Sequence, residues 1–221
     1  VFDAVSPNVQ VAIVSATRPA EVLALARRVT ADATHVDTRL DAFPHGVTLA
    51  NVGQYYVDVE HAEWKLDTLR DLLDELGDAA RVAVFCNGRR QVDWLTDRLR
   101  THGYAVACVH GADDPHTRAA RIADFRRGAA RLLVATDVLA GVVDVRRVSA
   151  VVNYDLPRNV EAYVRRVGCA DRDGRTAFVV TFVTSDGMRE LREFARHVER
   201  HFTGAMITEL PASIDALHGP L

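Results

Sequence analysis

The chain has 221 residues, 48% of them hydrophobic, and a formal net charge of −3. That apolar content provides a core and excludes a disordered chain; the slightly acidic balance excludes a protein that is basic all round, though not one with a local basic groove. Its three cysteines, Cys86, Cys108 and Cys169, lack metal-ligand spacing and read as reduced, mostly buried thiols, so no metal site is expected. No apolar run approaches the ~20 residues of a membrane-spanning helix, and no signal peptide is visible. The chain does not open with Met, and Val1 reads as lying inside a structured region, so a piece of a longer protein is expected.

Val9 to Val14 is an apolar run ending in Ser15-Ala16-Thr17. Pro19 then suits the first turn of a helix whose apolar face is Val22, Leu23, Leu25, Ala26 and Val29. One strand and one helix do not make a sheet. Phe2 to Val36 is therefore expected to lean on a neighbouring chain, a swapped copy or another domain. Asp37 to Asn51 has no periodicity and contains Pro44 and Gly46, which marks a linker.

A second unit follows. Gly53 to Glu60 alternates as a strand. Glu63 to Leu76 is an amphipathic helix with Trp64, Leu66, Leu69, Leu72, Leu73 and Leu76 inward, stopped by Gly77. Arg81 to Cys86 is a strand, followed by Asn87 and Gly88. Arg89 to His102 is a helix with Val92, Leu95 and Leu99 inward, and Tyr104 to His110 another strand. Pro115 to Arg127 is a helix that buries Ile122 and Phe125, with Gly128 as its C-cap. Leu132 to Ala135 and Ser149 to Tyr154 are apolar runs of the kind buried on both sheet faces. A helix starts at an Asn159 cap with Val160, Tyr163, Val164 and Val167 on its buried stripe, to which Arg165 and Arg166 do not belong. Thr176 to Val183 is the last strand. Ser185 caps a final helix with Met188, Leu191, Phe194, Ala195 and Val198 inward. Strands alternating with helices of this length imply βαβ units, hence an α/β fold with a parallel sheet and helices on both faces. Ligands of such sheets bind at the C-terminal ends of the strands, where Thr136 and Asp137 follow the Leu132 to Ala135 run.

Two stretches resemble motifs of the DEAD-box RNA helicases. The family's TD-x-x-ARG-hydrophobic-D stands here as Thr136, Asp137, Val138, Leu139, Ala140, Gly141, Val142, Val143, Asp144, so its Arg-Gly is Gly141-Val142. The family's HRIGR-x-x-R-x-G-R stands as Arg165 to Arg175, with Arg165 for the His, Cys169 for the second Arg, and Asp171 before Arg172. HAEWKLDTLRDLLDEL, VFCN, RRQVDWLTDRL, VHG, FRRGAARLLVATDV and VVNYDLPRNVEAYVRRVG follow the family in order, with the initiation factor 4A subfamily most similar. Glu209-Leu210-Pro211 and Ile214-Asp215 resemble that subfamily's C-terminus.

The resemblance implies a RecA-like fold, with 1–38 the tail of a first RecA-like domain, 39–52 a linker and 53–221 the second, helicase C-terminal domain. It implies single-stranded RNA as partner, held by Arg118, Thr136, Gly111 and Asn87; Pro115 replaces a further RNA-gripping Gln. Asp144 and Arg172 would serve ATP, with Arg172 and Arg166 as the catalytic cations. Read without the resemblance, Arg118 is a solvated arginine, Thr136 a cap, Gly111 a turn glycine and Asp144 a turn aspartate. The phosphate loop G-x-x-x-x-G-K-[ST] and the Asp-Glu-Ala-Asp tetrapeptide are absent from this sequence. ATP and Mg²⁺ are thus expected only together with the first domain, and this chain alone should neither hydrolyse ATP nor unwind RNA. The other implied partners are that RecA-like domain, missing or neighbouring, and a HEAT-repeat translation scaffold. The implied setting is cytoplasmic, the nucleus being the alternative, with no membrane. A second reading takes the degraded motifs as the mark of a catalytically degenerate domain kept as a protein- and RNA-binding module, since exchanging Arg for Cys removes five N–H donors and a permanent charge.

Overall fold

Short apolar runs set the architecture. Val82–Phe85, Val106–Val109 and Leu132–Ala135 are buried at every position, and such strands need neighbours beside them and layers on both faces. In the computed structural model, which describes residues 11–13, 24, 26–28, 34, 52–138, 148–170, 177–201 and 206–211, they have both. The chain divides into two compact units, Val1–Gly46 and Val47–Leu221. In the first, Ala24 and Ala26 to Arg28 are helical. Of the expected strand at Val9 to Val14, residues 11–13 are described and form no strand; the rest lies outside the described residues, as does the 39–52 linker apart from Val52.

The second unit is a seven-stranded parallel sheet. In chain order its elements are β1 (Val52–Glu60), α1 (Lys65–Leu76), β2 (Val82–Phe85), α2 (Arg89–Thr101), β3 (Val106–Val109), α3 (Pro115–Arg127) and β4 (Leu132–Ala135), then β5 (Ala150–Asn153), α4 (Val160–Val167), β6 (Ala177–Thr184), α5 (Met188–His201) and β7 (Ile207–Glu209). The spatial order is β3-β4-β2-β5-β6-β1-β7. Alternation along the strands divides the core in two. Phe85, Val109, Leu133, Ala135 and Val179 meet Ile122 and Phe125 of α3, Tyr163 and Val167 of α4, and Phe194 and Val198 of α5. On the other face Val84, Val134, Val152 and Val180 meet Leu69, Leu72 and Leu73 of α1 and Val92, Leu95 and Leu99 of α2. The expected α/β fold is the one that forms.

The helix caps follow the sequence. Asp114 accepts from the N–H groups of His116 and Thr117 with Pro115 in the first turn, and Asn159 accepts from Ala162 N. Gly128 closes α3 at φ +83°, a left-handed conformation that side-chain-bearing residues rarely adopt. Four readings need correction. Trp64 sits in a 3-10 turn, 45% exposed, edge-on to the His61 ring, and not on the inner face of α1. Ser185 opens a 3-10 turn, Ser185–Gly187, that precedes α5; at Gly187 a Cβ would come within 3.1 Å of Val183, so the turn folds closely against β6. The sheet gains β7, whose three residues give no periodicity to read. In α4 the fully buried side chains include Arg166, while Val160 and Val164 are only partly covered.

Candidate functional site

In the sheet β2 lies between β4 and β5, so the C-terminal ends of these three parallel strands lie side by side. Asp137, Asn87 and Asp155 follow these three ends, and α4 brings Arg166 to all of them. The guanidinium is fully buried. Its Nε donates to Asp137 Oδ1 at 2.6 Å. Nη2 donates to Asp137 Oδ2 at 3.0 Å and to Asn87 Oδ1 at 2.8 Å. Nη1 donates to the Asp155 carbonyl at 2.9 Å and to Asn153 Oδ1 at 3.3 Å. The group lies 5.3 Å from the Phe85 ring centre. All five N–H donors of the arginine are thereby used.

Asn87 is tied as firmly. Its backbone N–H donates to Asp155 Oδ2 at 2.9 Å, and its Nδ2 to the Leu156 carbonyl at 2.7 Å. Its own carbonyl accepts from Arg158 Nη2 at 3.3 Å. Lys65 Nζ stands 3.4 Å from Asp155 Oδ1 and 5.5 Å from the Tyr154 ring centre. Burial, the largest cause, pushes the Cys86 thiol and the Tyr154 hydroxyl well above their ordinary ranges, so both stay protonated in this junction.

The ends of β3 and β4 differ. Thr136 N donates to the Val109 carbonyl at 3.2 Å, but the buried Thr136 Oγ1 has no protein partner. Beside it, a Cβ on Gly111 would come within 3.3 Å of Val138 Cγ2, so the two strand-end loops touch here. Arg118, in the first turns of α3, donates Nη2 to the Asp113 carbonyl at 3.0 Å, and its Nε is buried without a partner. His110 is nearly buried, with Nε2 3.2 Å from Asp93 Oδ1.

Cys169 follows α4, half-buried against the core. Its Sγ donates to the Arg165 carbonyl at 3.5 Å. Burial raises the thiol to about 11; Arg166 pulls it down and Asp137 pushes it up, both by smaller amounts. It is neutral near pH 7. Arg165 is exposed. Asp144 and Arg172 lie outside the described residues. The described positions that the resemblance gives to the nucleotide therefore present a neutral thiol at Cys169 and a guanidinium at Arg166 with no spare N–H, which does not fit a polyphosphate. Among the described residues no cluster of His, Cys, Asp or Glu is arranged to hold a metal ion, and no helix is long and apolar enough to cross a membrane.

The structure thus groups Thr136 and Gly111 at adjoining strand ends, and sets Asn87 and Arg166 together in a separate, internally bonded junction. Asp137, Asn153 and Asp155 complete that junction. Sequence reasoning places Asp137 at the ligand edge and Asp155 at a strand end but gives neither a partner, and it assigns Asn153 no role, although a polar residue closing an apolar run is a sufficient signal.

Comparison with known proteins fits this geometry. The family model for the helicase conserved C-terminal domain matches residues 64–174. The eukaryotic initiation factor 4A-9 of Nicotiana tabacum is 40% identical over 214 residues, covering 97% of this chain and 49% of the tobacco protein. The ATP-dependent RNA helicase eIF4A of Pyricularia oryzae is 38% identical over 214 residues, covering 97% and 52%. The chain spans about half the length of these curated relatives. Among solved structures, S. cerevisiae Dbp5 bound to RNA and ADP BeF3 superposes with a TM-score of 0.75 at 26% identity, covering 91% of this chain and 51% of that one.

Proposed function

The chain belongs to the DEAD-box RNA helicases, as their conserved C-terminal helicase domain, and from that premise we propose that it grips single-stranded RNA by the sugar-phosphate backbone at the open ends of β3 and β4. The observation that carries this reading is the buried, unpartnered hydroxyl of Thr136. A buried donor without a partner costs about 1–3 kcal/mol, and a phosphate oxygen would relieve that cost. Arg118 adds a cation, and the bare backbone at Gly111 lets a sugar-phosphate chain come close. Contacts of this type position a strand and carry no base information. Asn87, its side chain committed at both ends, belongs to the neighbouring junction and would not itself hold the strand.

ATP and Mg²⁺ belong to the same proposal for the whole protein, held mainly by a first RecA-like domain. This chain's share would come from Arg165 and the segment with Asp144 and Arg172. Arg166, with every donor engaged, is the residue that positions these loops. The relatives' names, ATP-dependent RNA helicases, favour this helicase reading over a binding module without catalysis. A HEAT-repeat translation scaffold as protein partner and a cytoplasmic setting complete the proposal.

The test is fluorescence-anisotropy titration of a mixed-sequence single-stranded RNA over a series of salt concentrations. We expect Arg118→Ala to weaken binding about tenfold for every sequence, as loss of a hydrogen bond to a charged group does, and to lower the salt slope by about one. Unchanged affinity and slope would remove RNA from this surface.

A further inference from the structure

Along a strand, the N–H and C=O of one residue point to the same side, and successive residues alternate. In β3, the Ala105 carbonyl accepts from Leu132 N at 3.2 Å and the Val109 carbonyl from Thr136 N at 3.2 Å, so this parity faces β4. Val106, Cys108 and His110 consequently face the open edge of the sheet, where β3 is the terminal strand. Each of their backbones meets a side chain there. Arg100, in the last turn of α2, donates Nη2 to the Val106 carbonyl at 2.9 Å. Arg121 of α3 donates Nη1 to the Cys108 carbonyl at 3.0 Å. Asp113 Oδ2 accepts from His110 N at 2.8 Å, and Asp113 Oδ1 lies 2.8 Å from Arg121 Nη1, bracing that cap. The two arginines come from helices on opposite faces of the sheet. Val106, Ala107 and Cys108 keep only 7%, 5% and 8% of their surface exposed, although no described strand lies beyond them. An open cleft lined by Arg100, Tyr104, Ala107, Arg121 and Asp124 runs beside this edge, so among the described residues side chains, not a covering element, close it.

We propose that Arg100 and Arg121 are edge guards that keep β3 from pairing with the β3 of a second copy of this chain. A two-fold axis at Ala107 would set Val106 against Cys108 of the second copy, and the reverse. Both pairs would use the carbonyls that the guanidinium groups now occupy, and the contact would be isologous and closed. Unguarded edges invite such pairing. The opposite edge, β7, has three residues and is protected by its shortness.

The test is sedimentation of the full 221-residue chain across a range of concentrations, with circular dichroism to establish folding. The wild type is expected to be monomeric. Arg100→Ala with Arg121→Ala is expected to dimerise, its self-association at least about tenfold tighter, the effect of one net strand hydrogen bond. Adding Cys108→Pro removes an outward N–H without touching either arginine position and should return the monomer. A folded double variant that remains monomeric overturns the proposal, as does a dimer that survives Cys108→Pro or a wild type that already pairs through β3. Should the double variant not fold, Arg100→Ala and Arg121→Ala are read singly. Concentration-dependent association of either supports the guard role; its absence in both overturns it.

Discussion

The two neighbourhoods at the C-terminal edge of the sheet use the same kinds of side chain to opposite ends. At the junction of β2, β4 and β5, Arg166 spends every donor on protein acceptors, and Asn87 is bonded through its N–H, its carbonyl and both ends of its amide. At the ends of β3 and β4, Thr136 Oγ1 and Arg118 Nε are buried with no partner. Buried polar groups are almost always satisfied, so the unfilled positions are where a ligand gains most, and the filled ones hold the frame that presents them. A guanidinium in a family motif is thus a poor guide to chemistry until its acceptors are counted.

The largest effect should come from the filled side. Arg166→Ala removes five hydrogen bonds and leaves the Asp137 carboxylate, the Asn87 amide oxygen and the Asp155 carbonyl without their donor. We expect a loss of about 3–5 kcal/mol in urea unfolding, the usual cost of removing one partner from a buried ion pair. Arg118→Ala should cost less than about 0.5 kcal/mol by the same measure. Comparable losses at the two positions would erase the distinction between frame and site.

Arg166 also marks the limit of what the sequence disclosed. Periodicity placed Tyr163 and Val167 in the core and set Arg166 outside the stripe, because hydrophobic patterning registers apolar burial only. What buries Arg166 is a set of acceptors on β2, β4 and β5, distant in sequence and brought together by strand order. Where local chemistry decides, the reading was close: α3 spans Pro115–Arg127 and β4 spans Leu132–Ala135, as the cap at Gly128 and the apolar run indicate. Where tertiary contact decides, it was not. Trp64 has the spacing of a core residue but lies in a turn against His61, and β7 forms only because β1 offers it an edge. At the site, the motif frame led to Thr136 and Gly111, but nothing in the sequence said that the Thr136 hydroxyl would be buried and unpaired.

The next effect tests the proposed ATP role of the residues beside the filled junction. Cys169, neutral and packed on the core, stands where the family carries a cation. Arginine fingers contribute roughly 10³–10⁵ in rate. In a full-length protein with an intact first domain, Cys169→Arg combined with Gly141→Arg and Val142→Gly should raise RNA-saturated ATP turnover about a hundredfold, less than a full finger because Arg165 already supplies a nearby cation. If the wild type turns over ATP as fast as the triple variant, the positions have been misassigned and the protein is an ordinary helicase.

The smallest effect is also the one whose sign separates the two neighbourhoods. Thr136→Val keeps the shape of the side chain and removes the hydroxyl. In a filled junction such a change strands a partner and destabilises the fold. Here no protein atom is bonded to Oγ1, so the change removes an unsatisfied buried donor, a group whose desolvation costs about 1–3 kcal/mol. The RNA-free variant should therefore be as stable as the wild type or slightly more so in urea unfolding. The same change deprives a phosphate oxygen of its donor, and single-stranded RNA should bind several-fold more weakly, in keeping with a net value of about 0.5–1.5 kcal/mol for one hydrogen bond. Weaker RNA binding without loss of stability is the signature of a position shaped for a ligand. A variant that loses stability while binding RNA normally would make Thr136 part of the frame, and the opening at β3 and β4 would then have no claim to be the site.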